Sequence, residues 1–118
     1  DPVVIAAVLE SDDHERLYMG LSLLVSAAVE GREARALLGF GALSAFFAPA
    51  LGRHVIDPER EPFARTFADL RDTALELCTV YACAAAAQAT GADTARLAGV
   101  ISTPQFLKDA AGAELIFV

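Results

Sequence analysis

Apolar runs of strand length alternate with segments of helical periodicity along the whole chain. Residues 3–9 (VVIAAVL) form a near-continuous apolar run, which is typical of a parallel strand buried on both faces. Residues 13–30 then carry apolar side chains at helical spacing, and Gly31 follows as a stop signal. The same patterns predict further strands at residues 34–40, 78–82, 100–101 and 114–118, and further helices at residues 42–47, 62–77, 84–90 and 104–111.

This order of elements predicts one α/β domain over residues 1–118, with helices on both faces of an open, mostly parallel sheet of about five strands. The arrangement is flavodoxin-like. Ligands and reactive groups in such sheets collect beyond the carboxyl ends of the strands. The loops expected at that edge are residues 11–13, 39–41, 82–84 and 102–103.

The composition is rich in apolar residues and poor in positive charge. Hydrophobic residues make up 55% of the 118 positions, above the usual level of about 45–50%. We therefore expect apolar surface buried between subunits, in a homo-oligomer. The net charge is −7 and Lys108 is the only lysine, so we expect neither nucleic acid nor an anionic membrane surface as a partner.

Residues 36–52 are uncharged over 17 positions, but Gly39, Gly41 and Pro49 interrupt them. A membrane-spanning helix needs about 20 cleaner residues, so a strand running into a short buried helix fits better. The two cysteines match no zinc or redox spacing, and no signal peptide is visible. These features predict a protein of the reducing cytoplasm.

Cys83 is the main candidate for chemistry, because it lies where a predicted strand meets a predicted helix. The free N–H groups and the dipole at a helix N-terminus favour an anion, and they lower the pKa of a thiol. The competing interpretation is a small packed side chain among alanines. Cys78 begins the same strand, about 15 Å away at ~3.3 Å per residue, so we expect a small buried side chain there and no disulfide.

The acidic loop after the first strand bears on two other kinds of site. Glu10-Ser11-Asp12-Asp13 puts carboxylates where a nucleotide or flavin phosphate would bind, which disfavours both ligands. Asp12, Asp13 and His14 could hold a metal, but a helix cap at Asp12 or Asp13 fits better. We expect no cofactor and no metal.

His54 is interpreted as a surface residue in a long loop rather than as a catalytic base. Its approach to Cys83 in the folded protein is left open.

Three segments resemble the DsrE/DsrF-like sulfur relay family. They are residues 80–91 (VYACAAAAQATG), 11–23 (SDDHERLYMGLSL) and 102–114 (STPQFLKDAAGAE), and the similarity extends over almost the whole chain. The resemblance implies a small DsrE-like α/β domain with a parallel sheet, assembled as a homo-oligomer or hetero-oligomer. It also implies a cysteine that takes up sulfane sulfur as a persulfide and passes it to a partner thiol, a role that falls on Cys83.

The resulting hypothesis is a cytoplasmic sulfur carrier that exchanges sulfur with protein thiols, with Cys83 as its one catalytic residue. Ala84 and the alanines after it offer that thiol no hydroxyl. The alternative is a non-catalytic oligomeric module of the same fold, in which the cysteine is incidental. A thiol peroxidase ranks last, because it would need a threonine and an arginine near the thiol and the segment offers only Thr79.

Overall fold

The centre of the molecule is an open sheet of five parallel strands, which confirms the flavodoxin-like α/β plan. A computed structural model describes residues 4–53 and 66–117, and describes side chains only as far as residue 115. The strands are β1 (Val4–Leu9), β2 (Glu33–Leu38), β3 (Thr79–Cys83), β4 (Gly99–Ile101) and β5 (Glu114–Phe117). Their order across the sheet is β4-β3-β2-β1-β5.

Consecutive residues are buried in the three central strands. Ala6 and Ala7 of β1, Leu37 and Leu38 of β2, and Ala82 of β3 are at most 2% exposed. Side chains of neighbouring strand residues point to opposite faces, so both faces of the sheet are covered. This is the burial that the unbroken apolar run at residues 3–9 predicts.

Six helices surround the sheet in the described ranges, and none of them is long and apolar enough to cross a bilayer. The helix α1 packs against α4, and α2 packs against α5. The helices are α1 (His14–Val29), α2 (Phe40–Phe46), α3 (Pro49–Gly52), α4 (Phe67–Leu77), α5 (Ala84–Thr90) and α6 (Thr103–Asp109).

Local end signals account for the bounds of α1 and α5. The side chain of Asp13 caps α1 by accepting a hydrogen bond from Arg16 N at 3.0 Å, which confirms the predicted cap. Gly31 and Gly91 follow α1 and α5 with φ of +91° and +65°. Glycine adopts this left-handed conformation without the steric cost that a Cβ brings.

The prediction for the end of the second strand was wrong by two residues. Phe40 is the first residue of α2 and not the last of β2. The chain turns already at Gly39, whose N–H donates to Leu9 O at 2.8 Å. No helix was predicted between residues 47 and 62, yet Pro49 begins the short helix α3.

The helix predicted at residues 62–77 begins later than expected. Thr66 has extended dihedrals and caps α4: its hydroxyl accepts from Asp69 N, and the Asp69 carboxylate accepts from Thr66 N. This is a capping box. The predicted start at Pro62 and the loop residue His54 lie outside the described residues.

Candidate functional site

Cys83 is the last residue of β3 and also the N-cap of α5. The predicted strand ended one residue earlier, but the junction itself lies where the sequence places it. The backbone of Cys83 is extended, with φ of −67° and ψ of 129°, and Ala84 begins the helix. The thiol therefore lies at the carboxyl edge of the sheet, beside the first N–H groups of α5.

The segment that follows the neighbouring strand β4 supplies a hydroxyl to this thiol. Cys83 is the register partner of Ile101, the last residue of β4. The next residue, Ser102, caps α6 by accepting from Gln105 N at 3.1 Å. Thr103 then comes beside Cys83, with Oγ1 at 3.7 Å from Sγ. When Cys83 is ionised, only the hydroxyl has a proton to donate, so Thr103 favours the thiolate.

Neutral donors lower the pKa of Cys83. Burial raises the pKa, but the N–H of Ala86, the hydroxyl of Thr103 and the N–H of Ala85 together outweigh it, and the pKa lies below its ordinary value. Sγ makes no capping hydrogen bond of standard geometry to either amide. The two N–H groups therefore act as nearby dipoles, as the unpaired amides of a first helical turn do.

The thiol lies just beneath the surface. Cys83 is 8% exposed, while Ala84, Ala85 and Thr103 around it are exposed. On the other side, β2 leads into Phe40, whose side chain is 53% exposed. A reacting partner thus meets small exposed residues around the sulfur, and Phe40 adds an exposed aromatic ring to the same edge of the sheet.

Cys78 lies at the other end of β3 and has the opposite character. It is the C-cap of α4, and its N–H donates to Ala74 O at 2.8 Å. Burial raises the pKa of its thiol to about 11. Both cysteines are free. Cys78 packs against the core as the sequence interpretation expects, but it is partly and not fully buried.

The acidic loop after β1 packs against the start of α2. Ala42 N donates to Glu10 O at 3.1 Å, and a Cβ built on Gly41 would lie 2.9 Å from the same oxygen. Gly41 is thus needed for the approach of two backbone segments rather than for contact with a phosphate.

The side chains of this loop act locally. Asp13 caps α1, and Ser11 Oγ accepts from Asp13 N at 3.0 Å. Within the described ranges, no three His, Cys, Asp or Glu side chains are grouped as a metal site would require.

A cleft of about 240 Å³ lies away from Cys83, between Phe47, Arg71, Asp93 and Arg96. The guanidinium carbons of Arg71 and Arg96 lie 5.3 and 5.1 Å from the centre of the Phe47 ring. Both guanidinium groups also donate to one oxygen of Asp72, at 3.0 and 2.9 Å. Because the positive charges are already paired, this cluster ties α4 to the loop after α5 and offers little to an anionic ligand.

Thr103 is the residue that the sequence interpretation missed. Residues 102–103 were predicted at the same edge as Cys83, but the thiol was described as lacking a nearby hydroxyl. The missing information was the pairing of β3 with β4, which places the two residues side by side. Among the residues that the structure describes, no arginine shifts the pKa of Cys83, as a thiol peroxidase would require.

Comparison with known proteins adds no family assignment. No protein-family model matches the chain, and no curated protein matches it.

Proposed function

We propose that the protein carries sulfane sulfur as a persulfide on Cys83 and passes it to the thiol of a partner protein. The observation that supports the proposal is the group of three neutral donors, Thr103 Oγ1 and the amides of Ala85 and Ala86, that lowers the pKa of Cys83. A thiolate is the form that attacks a persulfide. The resemblance of residues 80–91 to sulfur relay proteins agrees with this role.

The proposed chemistry is two exchanges at sulfur. The Cys83 thiolate attacks the outer sulfur of a donor persulfide, forms a new S–S bond and releases the donor thiolate. The thiolate of an acceptor then attacks the outer sulfur of the Cys83 persulfide and releases the Cys83 thiolate. Each step forms one S–S bond and breaks another, so no external oxidant or reductant is consumed.

Thr103 stabilises the charged sulfur at the start and at the end of each cycle. Its hydroxyl lies 3.7 Å from Sγ and donates to the thiolate that is released. These donors carry no charge, so they lower the pKa of Cys83 without an ion pair that would restrain the thiolate. A moderately stabilised thiolate serves both as nucleophile and as leaving group.

The partners in this scheme are protein thiols. Small exposed residues around Cys83 leave room for a chain segment that carries the reacting cysteine, and Phe40 offers it an apolar contact. A reducing compartment such as the cytoplasm keeps Cys78 and Cys83 as free thiols between cycles.

Intact mass measurement tests the proposal. Wild type, Cys83→Ala and Cys78→Ala are each treated briefly with glutathione persulfide and then with iodoacetamide. Wild type and Cys78→Ala are expected to gain the mass of one extra sulfur and to lose it to an added acceptor thiol, while Cys83→Ala gains none. Equal sulfur uptake by Cys83→Ala overturns the proposal and favours the non-catalytic module.

A further inference from the structure

One side of α1 faces solvent in a regular pattern. Arg16, Met19, Leu23, Ser26 and Glu30 are all exposed, and they follow one another at spacings of three and four residues. We call these five residues the α1 stripe. Such spacing places residues along one line of a helix, as in the contact seam of a coiled coil.

The apolar part of the α1 stripe is not needed for the core of the chain. Leu17, Leu21 and Leu24 on the other side of α1 are at most 1% exposed and already pack into the core. Met19 and Leu23 remain 63% and 44% exposed. Single exposed apolar residues are common on protein surfaces, but these two are successive seam positions in a chain that is 55% hydrophobic.

The charges of the α1 stripe are arranged symmetrically about Leu23. Arg16 lies seven residues before it and Glu30 seven residues after it. Arg16 forms no ion pair with any residue that the structure describes. Within the described part of the chain Glu30 is paired only with Arg32, at 3.6 Å on the exposed surface, and such pairs contribute little.

This symmetry indicates that a second copy of the same chain packs against the α1 stripe. If a second α1 runs antiparallel with Leu23 on a two-fold axis, Arg16 of each copy lies opposite Glu30 of the other. A parallel pair would set Arg16 against Arg16 and Glu30 against Glu30, and an antiparallel pair shifted by one turn in either direction would lose the pairing of Arg16 with Glu30. Like charges placed opposite one another destabilise a contact, so the sequence of α1 favours one register.

We propose that the α1 stripe joins two copies of this chain in an antiparallel, two-fold symmetric contact centred on Leu23. The α1 stripe does not include Cys83, which is the last residue of β3. The contact does not depend on the sulfur chemistry proposed above. Helix α1 has 16 residues, so it is about 24 Å long, and a two-helix contact of that length is small. The dimer is therefore expected to dissociate on dilution.

Disulfide trapping tests the register. Leu23→Cys and Ser26→Cys are each placed in a Cys78→Ser Cys83→Ser background and oxidised mildly. At the axis, the two copies of position 23 are within disulfide reach. The two copies of position 26 are displaced by about 9 Å along the helices, beyond the reach of a disulfide. Covalent dimer is expected from Leu23→Cys and not from Ser26→Cys. Equal trapping at both positions, or none at Leu23→Cys, overturns the proposal.

Charge reversal tests the pairing of Arg16 with Glu30. Arg16→Glu places an acid in the first turn of α1, and Glu30→Arg places a base at its end, so both substitutions favour the isolated helix. Each is nevertheless expected to weaken dimerisation several-fold in sedimentation equilibrium, and the double reversal is expected to restore it. A wild-type chain that stays monomeric at millimolar concentration, or a double reversal that restores nothing, contradicts the contact.

Discussion

The hydroxyl oxygen of Thr103 lies 3.7 Å from the sulfur of Cys83, although 20 residues separate them in the chain. The contact follows from the parallel register of β3 and β4, which sets Cys83 opposite Ile101. Thr103 follows Ile101 by two residues and begins α6, so its hydroxyl lies beside the sulfur of Cys83. The chemistry of the thiol is therefore set by a neighbouring strand as much as by its own helix.

Replacing Thr103 with valine is expected to raise the pKa of Cys83, because the hydroxyl is one of the groups that lower it. Less thiolate is then present at neutral pH, and alkylation slows several-fold. The rate of reaction with iodoacetamide, followed from pH 6 to pH 10, measures the shift.

Two further variants serve as controls for this pKa. Thr103→Ser keeps a hydroxyl and should restore the pKa. Ser102→Ala removes the cap of α6, costs about 1 kcal/mol of stability and should leave the pKa of Cys83 nearly unchanged. A Thr103→Val variant that titrates like wild type would show that the hydroxyl does not act on the thiol.

The two cysteines should react in an order opposite to their exposure. Cys83 is more buried than Cys78, but its pKa is lowered, while burial raises the pKa of Cys78 to about 11. Brief iodoacetamide treatment near pH 7.5 followed by peptide mass spectrometry is expected to find the label first on Cys83. Labelling of Cys78 first would mean that access, and not ionisation, controls reactivity here.

The raised pKa of Cys78 also predicts how stability changes with alkaline pH. The unfolded thiol ionises near its ordinary pKa of 9.0, whereas the folded thiol stays protonated up to about 11. Between these values the unfolded state binds fewer protons, so the free energy of unfolding falls as the pH rises. Cys78→Ala is expected to lessen that fall in urea unfolding measured at pH 8 and pH 10.5.

Cys83→Ala is the matched control for that measurement. Because the folded pKa of Cys83 is lowered, its ionisation favours folding as the pH rises through that pKa. Removing it should therefore steepen the alkaline fall. Identical slopes for wild type and Cys78→Ala would contradict the burial of the Cys78 thiol.

Much of the fold could be predicted because its signals are local. The unbroken apolar run of β1, the helical spacing of α1 closed by Gly31, and the alanine helix α5 closed by Gly91 each depend on neighbouring residues alone. The start of α4 had a local signal too, in Thr66 and Asp69 three residues apart. The predicted start was placed at Pro62 instead, because proline also favours the first turn of a helix.

What could not be predicted depends on which strands are neighbours. The early turn at Gly39 is fixed by its hydrogen bond to Leu9 O on β1. Thr103 reaches Cys83 only because β4 lies beside β3. Neither pairing can be recognised from the residues around the contact, since strand order is a property of the whole chain.

Gly41 is the second residue of α2 and lies against the backbone of the loop after β1, which leads to a final prediction. A Cβ at this position would lie 2.9 Å from Glu10 O and 3.1 Å from Asp12 N, both of them backbone atoms that cannot swing away. Gly41→Ala should therefore destabilise the protein by about 1–3 kcal/mol, as overpacking does, even though alanine favours a helix by about 1 kcal/mol over glycine.

Gly39→Ala is the control, because its Cβ would come no closer than 3.7 Å to its neighbours and only the helix cap is weakened. Urea unfolding should find Gly41→Ala clearly the less stable of the two. Equal stability would show that α2 and the loop after β1 separate easily, and would remove the steric reason for glycine at this edge.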